Sequence, residues 1–145
     1  MSSLLQQKRR KTLNALMTQL QAAKQGRVTD AMRRVAQDEG VSPERVREAV
    51  AAGRAVIPLN PAHANARPVG VGLLFRTKVN ANLGRSTTRS GKGDELEKLR
   101  IALDAGADFV MDLSVGDDLR AIRQDMLDAS PAPLGTVPVY ETISR

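Results

Sequence analysis

Apolar residues in the first third of the chain recur at every third or fourth position, the spacing of a helix that buries one side. Three short helices are predicted, and they are expected to end at Gly26, Gly40 and Gly53. The first is expected to begin near Leu5, and Thr29 is a candidate cap for the second. Ser42 and Pro43 mark the third, because serine caps helix starts and proline is tolerated at the first helical position.

The helical pattern of the sequence ends at Gly53. Residues 55–58 predict a short extended segment, and the proline-rich residues 60–68 predict a loop. A domain boundary is therefore predicted here. Residues 1–68 would form a helical N-terminal region and linker, and residues 69–145 a second domain.

From residue 69 the pattern alternates between strands and helices. Apolar runs predict strands over residues 71–79, 109–113 and 134–140, and the first of these runs also contains β-branched residues. Between them lie two predicted helices, one from an Asp94 cap to Gly106 and one from Asp117 or Asp118 that Pro131 ends. Such alternation is typical of parallel strands joined by helical crossovers, so the sequence predicts an α/β fold.

The ends of the predicted strands carry three candidate binding residues. Parallel strands present ligand-binding groups where they end, because the loops that follow share one mouth. Asn82, Met111 and Tyr140 are separated by 29 positions each time, about one strand–helix repeat. They offer an amide donor and acceptor, a polarizable apolar surface, and a ring with a hydroxyl. The spacing alone favours a different interpretation of Met111 and Tyr140, in which both are core residues.

The chain contains no cysteine and a single histidine, His63. Disulfides, thiolate zinc sites and an iron–sulfur cluster held by these residues alone are therefore excluded. A surface or hydrogen-bonding role in the loop is favoured for His63 over metal ligation, because one histidine does not make a metal site. No catalytic residue and no metal ligand is assigned.

The formal net charge of +6 raises the possibility of nucleic-acid binding. A basic block spans residues 8–11, but three aromatic residues give no set of stacking platforms, which disfavours that function. Elsewhere basic and acidic residues alternate along the predicted helices, as on a solvated surface. The sequence has no apolar run of the roughly 20 residues that cross a bilayer, so we expect no membrane association and a cytoplasmic location.

Four segments carry a likeness to a known family: Ile57-Pro58 with Asn60 and His63, residues 78–84 (KVNANLG), residues 106–114 (GADFVMDLS) and residues 135–140 (GTVPVY). In order and spacing they resemble phosphomethylpyrimidine synthase of thiamine biosynthesis. The resemblance runs from about Gly26 to the last residue. It implies a radical S-adenosylmethionine carbon–carbon lyase that converts aminoimidazole ribotide into hydroxymethylpyrimidine phosphate.

The resemblance also implies a fold. Members of that family have a helical N-terminal region, a central (βα)8 barrel of the TIM type and a C-terminal region with a [4Fe–4S] cluster on three cysteines. A closed barrel normally needs roughly 250 residues, whereas this chain has 145. The expected fold is therefore α/β, a helical N-terminal region followed by the first β-α-β-α-β units of a TIM-type barrel that is incomplete in this chain.

Asn82, Met111 and Tyr140 match positions that contact the substrate in that family, so the resemblance favours binding roles for all three. It implies S-adenosylmethionine, the [4Fe–4S] cluster and zinc as cofactors, with their ligands outside this chain. The implied partners are aminoimidazole ribotide and the remainder of the barrel, in cis or in trans, with a homodimer expected when complete. Without cysteines, the chain alone is expected to be inactive.

Other interpretations stay open. A sister enzyme makes 5-hydroxybenzimidazole for cobamide synthesis from the same ribotide, although the run Asn80-Ala81-Asn82 favours thiamine synthesis. A non-enzymatic basic binding module is the third hypothesis. Residues 85–93 are basic and rich in hydroxyls, which suits a phosphate near a helix N-terminus, and an exposed loop without a ligand is an equally good interpretation.

Overall fold

The computed structural model describes residues 17–85 and 92–143. Within these ranges the helices are α1 (Gln19–Lys24), α2 (Asp30–Glu39), α3 (Pro43–Ala51), α4 (Lys92–Asp104), α5 (Leu119–Ala129) and α6 (Pro138–Ile143). The strands are β1 (Ala55–Val56), β2 (Val71–Gly72), β3 (Asn80–Leu83), β4 (Phe109–Asp112) and β5 (Leu134–Thr136). In the same two ranges, no helix combines the length and apolar character needed to cross a bilayer.

Residue contacts divide the described chain into two units. The helical unit comprises residues 17–57 and 70–76, and the sheet unit comprises residues 58–69 and 77–143. Each unit takes residues from both sides of the boundary expected after residue 68. These contact units do not define domains, so the division into domains 1–68 and 69–145 stays a prediction.

The helical unit is built from α1, α2 and α3, with α1 and α2 each packed against α3. Thr29 and Ser42 cap α2 and α3 by accepting hydrogen bonds from the backbone N–H groups of Met32 and Arg45. Gly40 ends α2 in the left-handed conformation, with φ of 65°. Both predicted caps and this predicted stop are confirmed. The buried side chains of this unit include Ala22, Ala23, Met32, Val35, Val46 and Val50.

The first helix begins later than a continuous helix from Leu5 would require. Thr18 has an extended backbone and caps α1, and its backbone N–H and side chain form a reciprocal capping box with Gln21. A helix that runs through residue 18 is therefore wrong, because this box satisfies the first N–H groups of a new helix. The predicted apolar positions before Met17 lie outside the described residues.

The strand predicted over residues 71–79 is also wrong. Only Val71–Gly72 is a strand there, and it pairs antiparallel with Ala55–Val56 in the helical unit. A turn follows, in which the N–H of Phe75 donates to the carbonyl of Gly72 at 3.0 Å. The run of residues 71–79 is thus divided between a short ribbon, a turn and an extended approach to the next strand.

The parallel strand that was expected there lies further along the chain, at Asn80–Leu83. Leu83 packs on the core of the sheet unit, whereas Val79 is exposed. Packing against the rest of the unit, rather than the β-propensity of valine, therefore decides where the strand forms.

The sheet unit contains three parallel strands in the order β3-β4-β5, connected by α4 and α5. Asn80 lies opposite Phe109, and Val110 lies opposite Leu134. The core between the helices and the sheet consists of Leu99, Val110, Ile122, Met126 and Ala132. This alternation of strand and helix confirms the α/β class.

The third predicted strand, residues 134–140, extends too far. β5 ends at Thr136, and α6 begins at Pro138. Proline has no N–H for a strand ladder and suits the first position of a helix, which accounts for the early end. Tyr140 therefore lies on a helix rather than at the end of a strand.

Two predicted helix caps differ as well. α4 includes Lys92, so Asp94 lies in the first turn of the helix instead of capping it. Asp118 occupies the cap position of α5 with φ of 59°, and within the described residues its side chain makes no capping hydrogen bond. Carboxylates near a helix N-terminus remain electrostatically favourable, which accounts for acidic residues at both positions.

Leu99 and Ile101 lie on the same helix, α4, but Leu99 is 1% exposed and Ile101 is 54% exposed. Leu99→Ala should lower the free energy of unfolding by about 2–5 kcal/mol, because it removes buried methyl groups and leaves a cavity. Ile101→Ala, the control, should change it by less than about 0.5 kcal/mol. Hydrogen exchange of the amides in α4 and β4 measures both changes as opening free energies without requiring two-state unfolding of the whole chain, and equal losses would contradict this packing.

Candidate functional site

The sheet of the sheet unit presents two different faces. α4 and α5 pack over the face that carries Leu83, Val110 and Leu134. Side chains alternate along a strand, so the residues between these belong to the opposite side of the sheet. This second face of the sheet carries Asn80, Asn82, Phe109, Met111 and Gly135.

Asn82 and Met111 lie directly opposite each other in the register of β3 and β4. Asn82 is exposed, and Met111 is half-buried. Each stands one residue before the end of its strand. The structure therefore brings two of the three predicted site residues together, and their binding role stays a prediction.

Asn80 orients the amide of Asn82. The Nδ2 of Asn80 donates to the Oδ1 of Asn82 at 2.7 Å, across the two-residue repeat that places both on the second face. This hydrogen bond uses the Asn82 carbonyl and leaves its Nδ2 as a donor that can face a ligand.

Gly135 leaves room for the side chain of Met111, which packs over it. A Cβ at position 135 would lie 3.0 Å from the Cε and 3.1 Å from the Sδ of Met111. Those contacts are tighter than ordinary packing, so a methyl group at position 135 would require the flexible thioether, which lies across β5, to shift by a few tenths of an ångström. Gly135 lies in one of the segments that resemble the family, but no feature of the sequence predicted that it leaves room for Met111.

Tyr140 is positioned differently from the other two. It lies in α6, four residues beyond the last residue of β5, and is 44% exposed. Its equal spacing from Met111 therefore does not correspond to an equal place on a strand. Any contact between Tyr140 and a ligand of the second face would come from the helix, and its binding role stays a prediction.

The chain continues to pair beyond the ends of β3 and β4. The N–H of Leu113 donates to the carbonyl of Leu83 at 2.7 Å, and the N–H of Val115 donates to the carbonyl of Arg85 at 3.0 Å. Between these bonds, the N–H of Arg85 donates to the Oγ of Ser114 at 3.0 Å. The two loops that follow these strands, the strand-end loops, are therefore held side by side.

Gly84 permits the close approach of the strand-end loops. A Cβ at this position would lie 2.8 Å from the carbonyl carbon of Leu113 and 2.9 Å from the backbone nitrogen of Ser114. Backbone atoms cannot move aside as the end of a flexible side chain can. Any residue other than glycine would therefore push the strand-end loops apart.

A buried carboxylate lies at the end of β4. Asp112 is fully buried, and its Oδ2 accepts a hydrogen bond from the Nε of Arg123 in α5 at 2.8 Å. Its Oδ1 accepts the N–H of Ser114 at 2.9 Å. The segment compared with the family contains Asp112, but no spacing rule identifies Arg123 as its partner.

A second buried carboxylate, Glu95, belongs to α4. Its Oε1 lies 2.6 Å from the Nζ of Lys98, and the same Nζ donates to the carbonyl of Gly84 at 3.2 Å. The helix is thereby fastened to the loop after β3. The three-residue separation of Glu95 and Lys98 predicts a helical ion pair, but it does not predict burial.

The phosphate loop considered at residues 85–93 falls largely outside the described residues. Arg85 is described, and its Nη2 donates to the carbonyl of Asp117. Its Nε is buried and has no hydrogen-bond partner among residues 17–85 and 92–143. The guanidinium thus fastens the loop after β3 to the segment before α5, and phosphate binding stays a prediction.

His63 is buried rather than at the surface. Its Nε2 donates to the carbonyl of Ser130 at 2.8 Å, and nearby Asn65 donates to the carbonyl of Asp128 at 2.6 Å. The predicted hydrogen-bonding role is therefore confirmed, and the loop is attached to the end of α5. Among the described residues, no group of three or more histidine, aspartate or glutamate side chains is arranged to hold a metal ion.

Charges on the solvent side of α4 behave as the sequence predicts for a solvated surface. Arg100 donates to Glu97 at 2.8 Å and to Asp104 at 2.7 Å. The hydrogen bond from Arg100 holds the pKa of Glu97 below its ordinary value. The pKa of Arg100 is raised, first by its hydrogen bond to Glu97 and then by the charges of both carboxylates. Glu97 and Arg100 are therefore both charged at neutral pH.

The fold and the second face define an α/β protein whose candidate binding groups lie at the carboxyl ends of parallel strands. A family model described as the Radical SAM ThiC family matches residues 18–145, and the chain belongs to this family.

Curated relatives named phosphomethylpyrimidine synthase are similar over most of the chain. The protein from Halobacterium salinarum is 57% identical over 130 residues, which cover 90% of this chain and 27% of that protein. The protein from Thermus thermophilus is 55% identical over 130 residues, 89% of this chain and 30% of that protein. The protein from Moorella thermoacetica is 54% identical over 125 residues, which cover 86% of this chain and 29% of that protein. The chain thus spans less than a third of the length of these relatives.

Gly84→Ala should lower the free energy of unfolding by about 1–3 kcal/mol, because its methyl group would overlap backbone atoms of the neighbouring loop. Gly93→Ala is the matched control. A Cβ there would meet no atom of the described residues within 4 Å, and alanine favours the helix by about 1 kcal/mol. Hydrogen exchange of the β3 and β4 amides checks the sign for both variants without requiring two-state unfolding, and a neutral Gly84→Ala would show that the close approach of the loops is unimportant.

Proposed function

We propose that this chain forms the N-terminal part of a phosphomethylpyrimidine synthase. In that enzyme it would contribute to converting aminoimidazole ribotide into hydroxymethylpyrimidine phosphate by radical S-adenosylmethionine chemistry, as a carbon–carbon lyase. The observation that carries the proposal is the placement of Asn82 opposite Met111 on the second face of the sheet, in a chain of this family.

The arrangement of the sheet supports a place in a (βα)8 barrel. Both crossover helices pack on one side of three parallel strands, as helices do outside a barrel. β3 and β5 are the edges of this sheet, so each has a side on which a further parallel strand can pair. We propose that the remainder of the barrel supplies those strands, in cis or in trans, and that the complete enzyme is a cytoplasmic homodimer.

The three candidate binding residues have separate proposed roles. Asn82 donates from its Nδ2 to the substrate, since its carbonyl oxygen already accepts a hydrogen bond from Asn80. Met111 provides a soft apolar surface for the heterocycle. Tyr140 approaches from α6 and offers its hydroxyl.

The cofactors of the family require ligands from elsewhere. A [4Fe–4S] cluster needs thiolates, and the chain has no cysteine. The single histidine, His63, is committed to the carbonyl of Ser130 and does not suit zinc. These residues therefore do not fit the cluster or the zinc ion, and we propose that the chain alone is inactive.

The other two functions receive less support. The relatives described above are all named phosphomethylpyrimidine synthase, which favours thiamine synthesis over 5-hydroxybenzimidazole formation. The basic block at residues 8–11, on which a nucleic-acid-binding module would depend, lies outside the described residues.

A segment exchange tests the proposal. Residues 18–145 would replace the matching segment of the Thermus thermophilus relative, and the chimera would be reconstituted anaerobically with its cluster. The expected result is formation of hydroxymethylpyrimidine phosphate from the ribotide, with the unaltered relative as the positive control. A folded, cluster-loaded chimera that makes no product, or makes 5-hydroxybenzimidazole, would contradict the proposed function.

Within the active chimera, Asn82→Ala should weaken ribotide binding by about 1–3 kcal/mol, because a buried polar partner on the substrate loses its donor. Asn82→Asp is the matched variant, since it keeps the shape and an acceptor but removes the Nδ2 donor. Both should therefore raise the KM for the ribotide. Wild-type KM and kcat in both variants would exclude Asn82 as a substrate contact.

The isolated chain should associate with increasing concentration or fold only in part, because the edges of β3 and β5 present unpaired backbone groups. Sedimentation velocity and hydrogen exchange measure this directly. Cooperative unfolding of a monomer, with protection throughout residues 77–143, would show that the sheet unit does not need further strands.

A further inference from the structure

The carboxylate of Asp112 is fully buried at the last residue of β4, where its side chain alternates with that of Met111. Burial of a charge is costly unless a partner and hydrogen bonds satisfy it. A buried ion pair is still weak evidence for stability, because apolar residues of similar volume often serve as well. The role of the ion pair between Asp112 and Arg123 therefore follows from its geometry and not from its energy.

The ion pair fastens the end of β4 to a helix. The Nε of Arg123, in α5, lies 2.8 Å from the Oδ2 of Asp112, and the Arg123 side chain is 17% exposed. The other oxygen, Oδ1, accepts the N–H of Ser114 at 2.9 Å, just after the strand ends. Because both carboxylate oxygens are used, Asp112 cannot rotate without losing one of these contacts.

The same contacts reach β3. The Oγ of Ser114 accepts the N–H of Arg85 at 3.0 Å, three residues beyond Asn82. A chain of hydrogen bonds therefore runs from Arg123 through Asp112 and Ser114 to Arg85. It links one helix, α5, to both strand-end loops.

We propose that Asp112 and Arg123 are positioning residues for the candidate site. By fixing the ends of β3 and β4, they hold Asn82 and Met111 where both contact the ribotide. The inference rests on the proposed function for the identity of the ligand. It adds two residues that act through the strand ends and touch no ligand themselves.

The test uses the Thermus thermophilus chimera, isotope-labelled at its methionine methyl groups. The Met111 signal is the one that Met111→Leu removes. Arg123→Met should shift or broaden this signal, because loss of the cation releases the strand end. Arg120→Met is the matched control, since Arg120 is exposed on the same helix, and it should leave the signal unchanged. An unchanged Met111 signal in folded Arg123→Met would overturn the proposal.

Kinetics of the active chimera provide a second readout. Arg123→Met should raise the KM for the ribotide by about tenfold while kcat changes little, as for a residue that acts through packed neighbours. Arg123→Lys should recover part of the loss, because it restores a cation at the same position. A fall in kcat with KM unchanged would overturn the positioning role.

A further variant is needed if Arg123→Met does not fold. Failure to fold would be recognised because the methyl signals of Met32 and Met126, both fully buried, would collapse together with that of Met111. Ser114→Ala then decides, because it removes the acceptor for Arg85 and leaves the ion pair in place. A shifted Met111 signal supports the proposal, and an unchanged one overturns it. An inactive parent chimera would contradict the proposed function, whereas the methyl signals would still decide the positioning role.

Discussion

The packing of α4 and α5 on one side of the three-stranded sheet is the interaction on which the rest of the sheet unit depends. Leu99, Ile122 and Met126 are buried there, and burial of apolar surface is the main favourable term in folding. Because side chains alternate along a strand, covering one face commits every second residue to the other. Asn82 and Met111 therefore share the other face as a result of what the helices bury, and the register of β3 and β4 makes them neighbours.

Charged groups at the strand ends are treated differently from those on the helix surfaces. Arg100 and its partners stay in water, where ion pairs contribute little to stability. Asp112 and Glu95 are withdrawn from water. Asp112 pairs with Arg123 of the helix that follows its strand, and Glu95 pairs with Lys98 of its own helix, which also reaches the carbonyl of Gly84 after β3. Each strand–helix unit thus carries one polar attachment at the end where α/β folds place ligands. These attachments fix the positions of the loops, whereas buried ion pairs are weak evidence for added stability.

Local signals predicted the elements better than their ends. Thr29 and Ser42 could be identified as caps because capping involves only neighbouring residues, and the α/β class followed from alternation. The strand at residues 71–79 was wrong because packing overrides propensity, and Tyr140 was misplaced because Pro138 begins a helix. For the site, Asn82 and Met111 could be chosen from spacing and resemblance. The contributions of Gly135 and Arg123 could not, because they exist only once the strands are side by side.

Gly135 has a consequence for the shape of any ligand on the second face. Below any such ligand, β3 presents an amide, whereas β4 and β5 share one apolar floor, because the thioether of Met111 lies over Gly135. An added methyl group at position 135 would raise that floor and displace the thioether without changing a single polar group. The height of this apolar floor is therefore governed by residue 135 of β5, and the hydrogen-bonding chemistry of the candidate site by β3, so that the two properties can change independently in related sequences.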